Sequence, residues 1–370
     1  MGKLCIIYNT APKYREAIFQ SIDVEYDCDW YFGKTKSDIK EMDTSLLKNV
    51  TYYKTIGNPD KIYWKFGVLH LLFKKKYNCF FMLAEVRSVT DWIFFWLAST
   101  LVKRKKVFIW THGWYGRENW FEAKMKLWLF RHVAGTFVYG DRARELLINK
   151  GIPKDKLFAI HNSLDYDKHI QLRGTNLKSS IYKDHFGNDN HILMMIGRLN
   201  LRKKIDMLIK AVHILKNKGY NYNIVLIGDG SDKNKLIEMA NDYNITNQVW
   251  FYGACYNEQT NASLLYNADM CVVPGDVGLT AIHTMTFGVP VITHNFFPNQ
   301  GPEFEAIKPG LTGDFFERDN VDSLVSAIQN WFSTKANMRE EVRQACYKEI
   351  DTNWNPHYQM ELLKKELKLV

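Results

Sequence analysis

A chain of 370 residues is too long for one ordinary hydrophobic core, and its length favours two domains. With 46% hydrophobic and 24% charged residues it has the profile of a soluble globular protein, and its longest uncharged apolar run, Trp92–Val102, is too short to span a bilayer. The net charge of +9 is uneven: residues 1–165 carry 27 basic against 17 acidic side chains, residues 166–370 carry 22 against 23.

The first strand candidate, Leu4–Tyr8, occupies the place where a signal peptide would stand, which points to a cytoplasmic protein. Further strands are expected at Cys79–Ala84, Val107–Trp110, Thr136–Tyr139 and Leu157–Ile160, with helices such as Asn119–His132 and Asp141–Lys150 between them. Residues 166–190 are polar and aperiodic and read as a linker. The second half repeats the alternation. Ile192–Ile196 is strand-like, and Lys203–Lys218 places Ile205, Leu208, Ile209, Val212 and Leu215 on one helical face. Strands follow at Asn223–Ile227, Val249–Tyr252, Met270–Val273 and Pro290–Thr293. Ser231 is read as the cap of a helix, and another helix as spanning Leu279–Phe287. Met360–Leu369 has an amphipathic helical pattern. Strands alternating with helices predict α/β domains with doubly wound parallel sheets, whose ligands bind at the carboxyl ends of the strands. The expected domains are 1–168, 169–348 and a helical segment 349–370 packing back on the first.

Six cysteines without CxxC spacing read as free thiols in a reducing compartment, and give no basis for a structural zinc site. Two basic clusters, Lys74–Lys76 and Lys103–Lys106, suit solvated helix ends or anionic lipid headgroups; nucleic acid is not expected, because no recognition motif is present. Chemistry concentrates at four places. Gly197-Arg198-Leu199 followed by Lys203 puts two cations at a sheet edge, where they suit a diphosphate. In Pro274–His283 a strand gives way through Asp276 and Gly278 to a helix whose first N–H groups, at Leu279, Thr280 and Ala281, can hold phosphate; His283 lies one turn in. His112 follows a strand of the first half, at its carboxyl end, where it reads as an acceptor-side or phosphate contact or as part of a turn with packed aromatics. The Gly/Pro-rich stretch 299–313 carries Glu303 and Glu305, able to bind hydroxyls or simply solvated.

As an ordered set these residues resemble the family 4 retaining glycosyltransferases of the GT-B fold. The resemblance implies two Rossmann-like doubly wound domains facing each other across a cleft. In that family Gly197, Arg198, Leu199 and Lys203 correspond to residues holding the donor diphosphate. Asn162–Asp165, Gly228-Asp229-Gly230, Phe251-Tyr252-Gly253, Gly288–Val291, Glu305–Ile307 and Thr312-Gly313 match further motifs, with Tyr252 on the strand beside the base. The sequence departs in lacking both motif glutamates: the sugar-contacting one falls on Gly275, with Asp276 as a substitute, and the ribose-binding one on His283.

The expectation is a sugar transferase acting on a nucleoside-diphosphate-sugar with retention. Arg198, Lys203, His112 and Asp276 are its catalytic candidates, and Gly197, Tyr252, Gly278, Leu279, Thr280 and His283 bind the donor. No metal or other cofactor is expected, since these groups and the helix dipole stabilise the leaving diphosphate themselves. The expected acceptor is a glycan or lipid-linked glycan of bacterial surface polysaccharide, met at the inner membrane face. The alternatives are a non-catalytic nucleotide-sugar-binding subunit and, weakly, a nicotinamide oxidoreductase, against which no GxGxxG follows the first strand.

Overall fold

The computed structural model describes residues 3–34, 40–335 and 337–369. The chain forms two compact units, one of residues 1–165 with 355–370 and the other of residues 166–354.

In the first unit seven strands form a parallel sheet: β1 (Lys3–Tyr8), β2 (Cys28–Gly33), β3 (Val50–Tyr53), β6 (Tyr77–Leu83), β7 (Lys106–Thr111), β8 (Gly135–Val138) and β9 (Leu157–Ala159). They lie in the order β3-β2-β1-β6-β7-β8-β9, while β4 (Thr55–Gly57) and β5 (Tyr63–Lys65) form a separate antiparallel ribbon. The strands read as apolar runs because both faces are covered. Along β1, Cys5 and Ile7 enter one hydrophobic cluster with Phe80, Phe94 and Ile109, whereas Leu4, Ile6 and Tyr8 enter the other with Phe19, Trp30 and Trp110. The helix Pro356–Leu367 belongs to this unit and buries Leu363 and Leu367 in the second cluster.

β2 and β3 have no counterpart among the strands expected from sequence. Asp29 breaks the apolar pattern of β2, yet it is a strand residue whose carboxylate is held by Lys3 at 2.7 Å, Lys76 at 2.6 Å and the Tyr77 hydroxyl at 2.6 Å. These partners outweigh the cost of burying it and hold its pKa below the ordinary carboxylate value.

The second unit has six parallel strands: β10 (His191–Ile196), β11 (Tyr222–Ile227), β12 (Val249–Gly253), β13 (Met270–Val273), β14 (Val291–His294) and β15 (Gly313–Phe316). Their order is β12-β11-β10-β13-β14-β15. Numbered within the unit this is 3-2-1-4-5-6, the doubly wound order, and the winding reverses between β10 and β13. The helix Ile205–Asn217 buries all five of its anticipated apolar residues.

Four expectations change. The stretch read as a linker contains the helices Tyr166–Arg173 and Ile181–Phe186; each buries only one residue, His169 and Tyr182, so no apolar periodicity announces them. The boundary accordingly falls after Asp165 rather than 168, and the chain leaves the second unit after Trp354 rather than 348, because the helix Arg339–Asn353 packs there. Ser231 is not the cap: the helix Lys233–Asp242 has Asp232 in that place, and the Ser231 hydroxyl donates to the Asp232 carboxylate. The stretch 299–313 ends by entering β15, whose first residue, Gly313, has the positive φ of 155° that a side chain would strain.

Candidate functional site

The doubly wound order places a crevice where β10 and β13 end. Backbone hydrogen bonds tie the loops there. Gly197 N–H donates to Ile227 O at 2.9 Å, Leu199 N–H to Asp229 O at 2.9 Å, and Gly228 N–H to Gly253 O at 2.8 Å. The loop after β13 bonds to the loop after β10 through Gly275 N–H to Lys203 O at 2.9 Å and Asp276 N–H to Arg202 O at 3.0 Å. The glycines are demanded by this closeness: a Cβ on Gly228 would lie 1.8 Å from Gly197 O, and one on Gly275 1.9 Å from Arg202 O.

Two cations stand at this edge. Arg198 is exposed. The Lys203 ammonium donates to Asp276 O at 2.7 Å and Val277 O at 2.9 Å, and lies 3.9 Å from where a Cβ of Gly278 would stand. An ammonium has three donors, so these carbonyls leave one for a ligand. Burial lowers the pKa of Lys203 and outweighs the opposing pull of Asp276 and Glu303, so an arriving anion stabilises its charge. Asp276 uses one carboxylate oxygen to accept from Arg202 at 2.6 Å and the other to accept from Gly301 N–H at 2.9 Å. It is thereby the clasp between three segments.

The helix here spans Thr280–Thr286 and is anchored by the Thr280 hydroxyl, which donates to Ile196 O at 2.9 Å. Ala281 N–H closes onto Gly278 O at 3.1 Å, so the leading N–H groups for an anion are those of Leu279 and Thr280, two rather than three. Buried Gln300 supports the preceding loop. Its carbonyl accepts from Val277 N–H at 2.9 Å, and its amide donates to the Thr293 hydroxyl at 2.8 Å and His294 O at 3.1 Å.

His283 turns to Glu258, its Nε2 lying 3.5 Å from the carboxylate, with His169 stacked beside it at 5.4 Å between ring centres. Burial disfavours charge on Glu258, but the two imidazoles more than compensate and hold its pKa far below the ordinary range. Tyr252, on β12, packs its ring edge-on to Trp250 at 5.0 Å.

His112 belongs to the first unit. It follows β7, is exposed, and has the ring of Tyr139 4.8 Å away. Glu118 organises the next residues by accepting from the N–H groups of Tyr115, Gly116 and Arg117 at 2.8, 2.9 and 3.1 Å. At the corresponding switch point of this sheet, between β1 and β6, sits a polar group that no motif announces. Glu85 accepts from Asn9 at 3.0 Å and Tyr63 at 2.6 Å, and pairs with fully buried Lys65 at 2.9 Å. Glu85 was within reach of sequence reasoning, because the strand expected to end at Ala84 puts it at the carboxyl edge. Arg15 was not: it is buried among Tyr8, Trp110 and Tyr139, with its centre 4.6 Å from the Trp110 ring.

Residues 180–349 match the family described as glycosyl transferases group 1. This match falls within the second unit. An uncharacterized glycosyltransferase of Methanocaldococcus jannaschii is 26% identical over 188 residues, covering 49% of this chain and 46% of that protein. The capsular polysaccharide biosynthesis glycosyltransferase CapM of Staphylococcus aureus is 24% identical over 201 residues, 54% of this chain and 50% of that one. The chain thus spans about half the length of the curated relatives it matches. HepE of Anabaena, solved in complex with UDP, superimposes with a TM-score of 0.75 at 14% identity and full coverage of both chains. The fold is GT-B, as the motif resemblance implies.

Proposed function

We propose that the protein transfers a sugar from a nucleoside-diphosphate-sugar to a hydroxyl of a glycan or lipid-linked glycan in surface polysaccharide synthesis, with retention at the anomeric carbon. The observation that carries this reading is the switch-point cradle of the second unit, where exposed Arg198, the Lys203 ammonium and the helix start at Leu279 and Thr280 surround one crevice edge. Such a cradle suits a diphosphate. In the transition state negative charge grows on the leaving diphosphate; Arg198 and Lys203 offset it without requiring a metal there. The leaving phosphate takes the acceptor's proton, so the absent motif glutamates are not needed as bases. CapM, a capsular polysaccharide glycosyltransferase, and HepE, which holds UDP, favour this donor and pathway class over a non-catalytic subunit.

Calorimetry with UDP, GDP, ADP, CMP and dTDP tests it. Selective binding of one nucleotide is expected, abolished in Arg198→Ala, with transfer reduced about 10²–10³-fold in Arg198→Ala and Lys203→Ala. Full activity in both variants refutes the assignment.

The acceptor side of the proposal rests on the first unit's surface. Lys105 donates to Lys74 O at 2.7 Å and so joins the two basic clusters, beside exposed Phe73, Trp96 and Leu101. Cations flanking exposed apolar side chains suit an anionic membrane surface, which supports the reading of an enzyme peripheral to the inner face of the cytoplasmic membrane. Among the described residues no helix is long and apolar enough to cross a membrane. Lys75→Glu with Lys103→Glu and Arg104→Glu is expected to abolish sedimentation with phosphatidylserine vesicles; undiminished sedimentation removes this part of the proposal.

A further inference from the structure

Three short helices, far apart in sequence, meet at one point of the second unit. His169 comes from Tyr166–Arg173, Glu258 opens Glu258–Asn267, and His283 lies on Thr280–Thr286. One ligating atom from each falls within 4.8 Å of the others. Both imidazole Nε2 atoms approach the same oxygen, Glu258 Oε2, at 3.3 Å from His169 and 3.5 Å from His283.

These separations are long for hydrogen bonds to a carboxylate, which close to about 2.7–2.9 Å. They match the edge of a tetrahedron of ligands set about 2.1 Å from a central ion, roughly 3.4 Å. Burial makes the gap costly. Glu258 Oε2 and His283 Nε2 are buried atoms without a hydrogen-bond partner, although each is a strong polar group. His169 is only 4% exposed. A divalent cation satisfies the two atoms together and neutralises the carboxylate.

We infer that His169, Glu258 and His283 form a binding site for a divalent transition metal of the zinc type, with an open fourth position for water or a ligand. Two imidazoles and one carboxylate are a ligand set that suits zinc. No motif reveals it, because each ligand stands on a different helix. The ion joins the helix that starts at the diphosphate cradle to the other two and so fixes that helix in place. It is a support for the cradle, and no step of sugar transfer passes through it. The inference goes beyond the proposed transferase activity.

The test uses the full chain, stripped with EDTA and titrated with Zn²⁺ by calorimetry and with Co²⁺ by visible absorption. The expected result is one ion per chain, with the intense Co²⁺ bands of a site of low coordination number. Glu258→Gln keeps size and shape and is expected to keep the fold by circular dichroism while weakening Zn²⁺ at least about 100-fold, the upper end of what losing even an outer partner of a metal ligand costs. His169→Ala is expected to behave likewise. Arg198→Ala, which disables the proposed donor site, is expected to retain full Zn²⁺ affinity, so failure of one assignment is distinguishable from failure of the other. Absence of stoichiometric uptake overturns the inference, as does uptake unchanged in Glu258→Gln and His169→Ala.

Discussion

His294 ends β14 with its Nδ1 accepting the Phe296 N–H at 3.1 Å, so the ring must carry its proton on Nε2. Protonating Nδ1 forfeits that bond inside a site only 3% exposed. Burial first, then the charges of Arg318 and Lys204, push its pKa down to about 4, against a weaker opposing effect of Asp276. Above about 6.5 neither the folded nor the unfolded state binds the proton. Between about 6.5 and 4 the unfolded chain binds it and the folded chain does not, so stability falls as pH falls through this window. The expected loss attributable to this residue is about 2–3 kcal/mol, since each tenfold difference in proton affinity between the two states is worth about 1.4 kcal/mol. Urea unfolding at pH 7 and pH 4 is expected to show that much smaller a difference in His294→Asn than in the wild type. Equal differences mean that His294 is not held neutral.

Among elements, the loop between β13 and the helix Thr280–Thr286 depends on Gln300, which is 3% exposed. Gln300→Leu fills a similar volume but leaves Val277 N–H and the His294 carbonyl without their partner. Each such loss costs about 1–3 kcal/mol. The expected outcome is a stability loss of that order together with weaker nucleoside-diphosphate binding by calorimetry, since the loop carries Gly278 and Leu279; unchanged affinity means that the cradle does not need this brace. The brace also marks the reach of local sequence patterns. The strands β10, β11 and β13 were legible because a strand buried on both faces is an unbroken apolar run, and Ile205–Asn217 because its buried face repeats with helical spacing. The phosphate-facing loop was legible from Gly197, Arg198 and Lys203, which stand just beyond a strand. Elements whose stability comes from distant partners were not. β2 depends on Lys3, Lys76 and Tyr77 to hold Asp29, and the helix Tyr166–Arg173 has little more than His169 to bury. The contacts among His169, Glu258 and His283, or between Gln300 and Val277, join residues that no local pattern connects.

Across the whole molecule, chain order and structural unit part company at Asn355. The last helix, Pro356–Leu367, packs with the helix Glu16–Glu25, and its Lys364 pairs with Glu25 at 2.7 Å. Leu363 and Leu367 are 0% and 1% exposed and lie in the cluster of Phe19, Trp30 and Trp110. An exposed ion pair adds about 0–1 kcal/mol, whereas removing a buried leucine side chain costs about 2–5 kcal/mol, so burial and not charge holds this helix. Leu363→Ala is therefore expected to destabilise the first unit by about that larger amount and Lys364→Ala to change it little. The second unit, residues 166–354, contains neither leucine and keeps its own core of Leu193, Leu208, Leu226 and Val272. Hydrogen exchange separates the two responses. Amides of β1, β2 and β6 are expected to exchange faster in Leu363→Ala, while those of β10, β11 and β13 keep wild-type protection. Equal loss of protection in both sheets instead means that the units unfold as one, and that the closing helix stabilises the whole chain rather than the unit to which it returns.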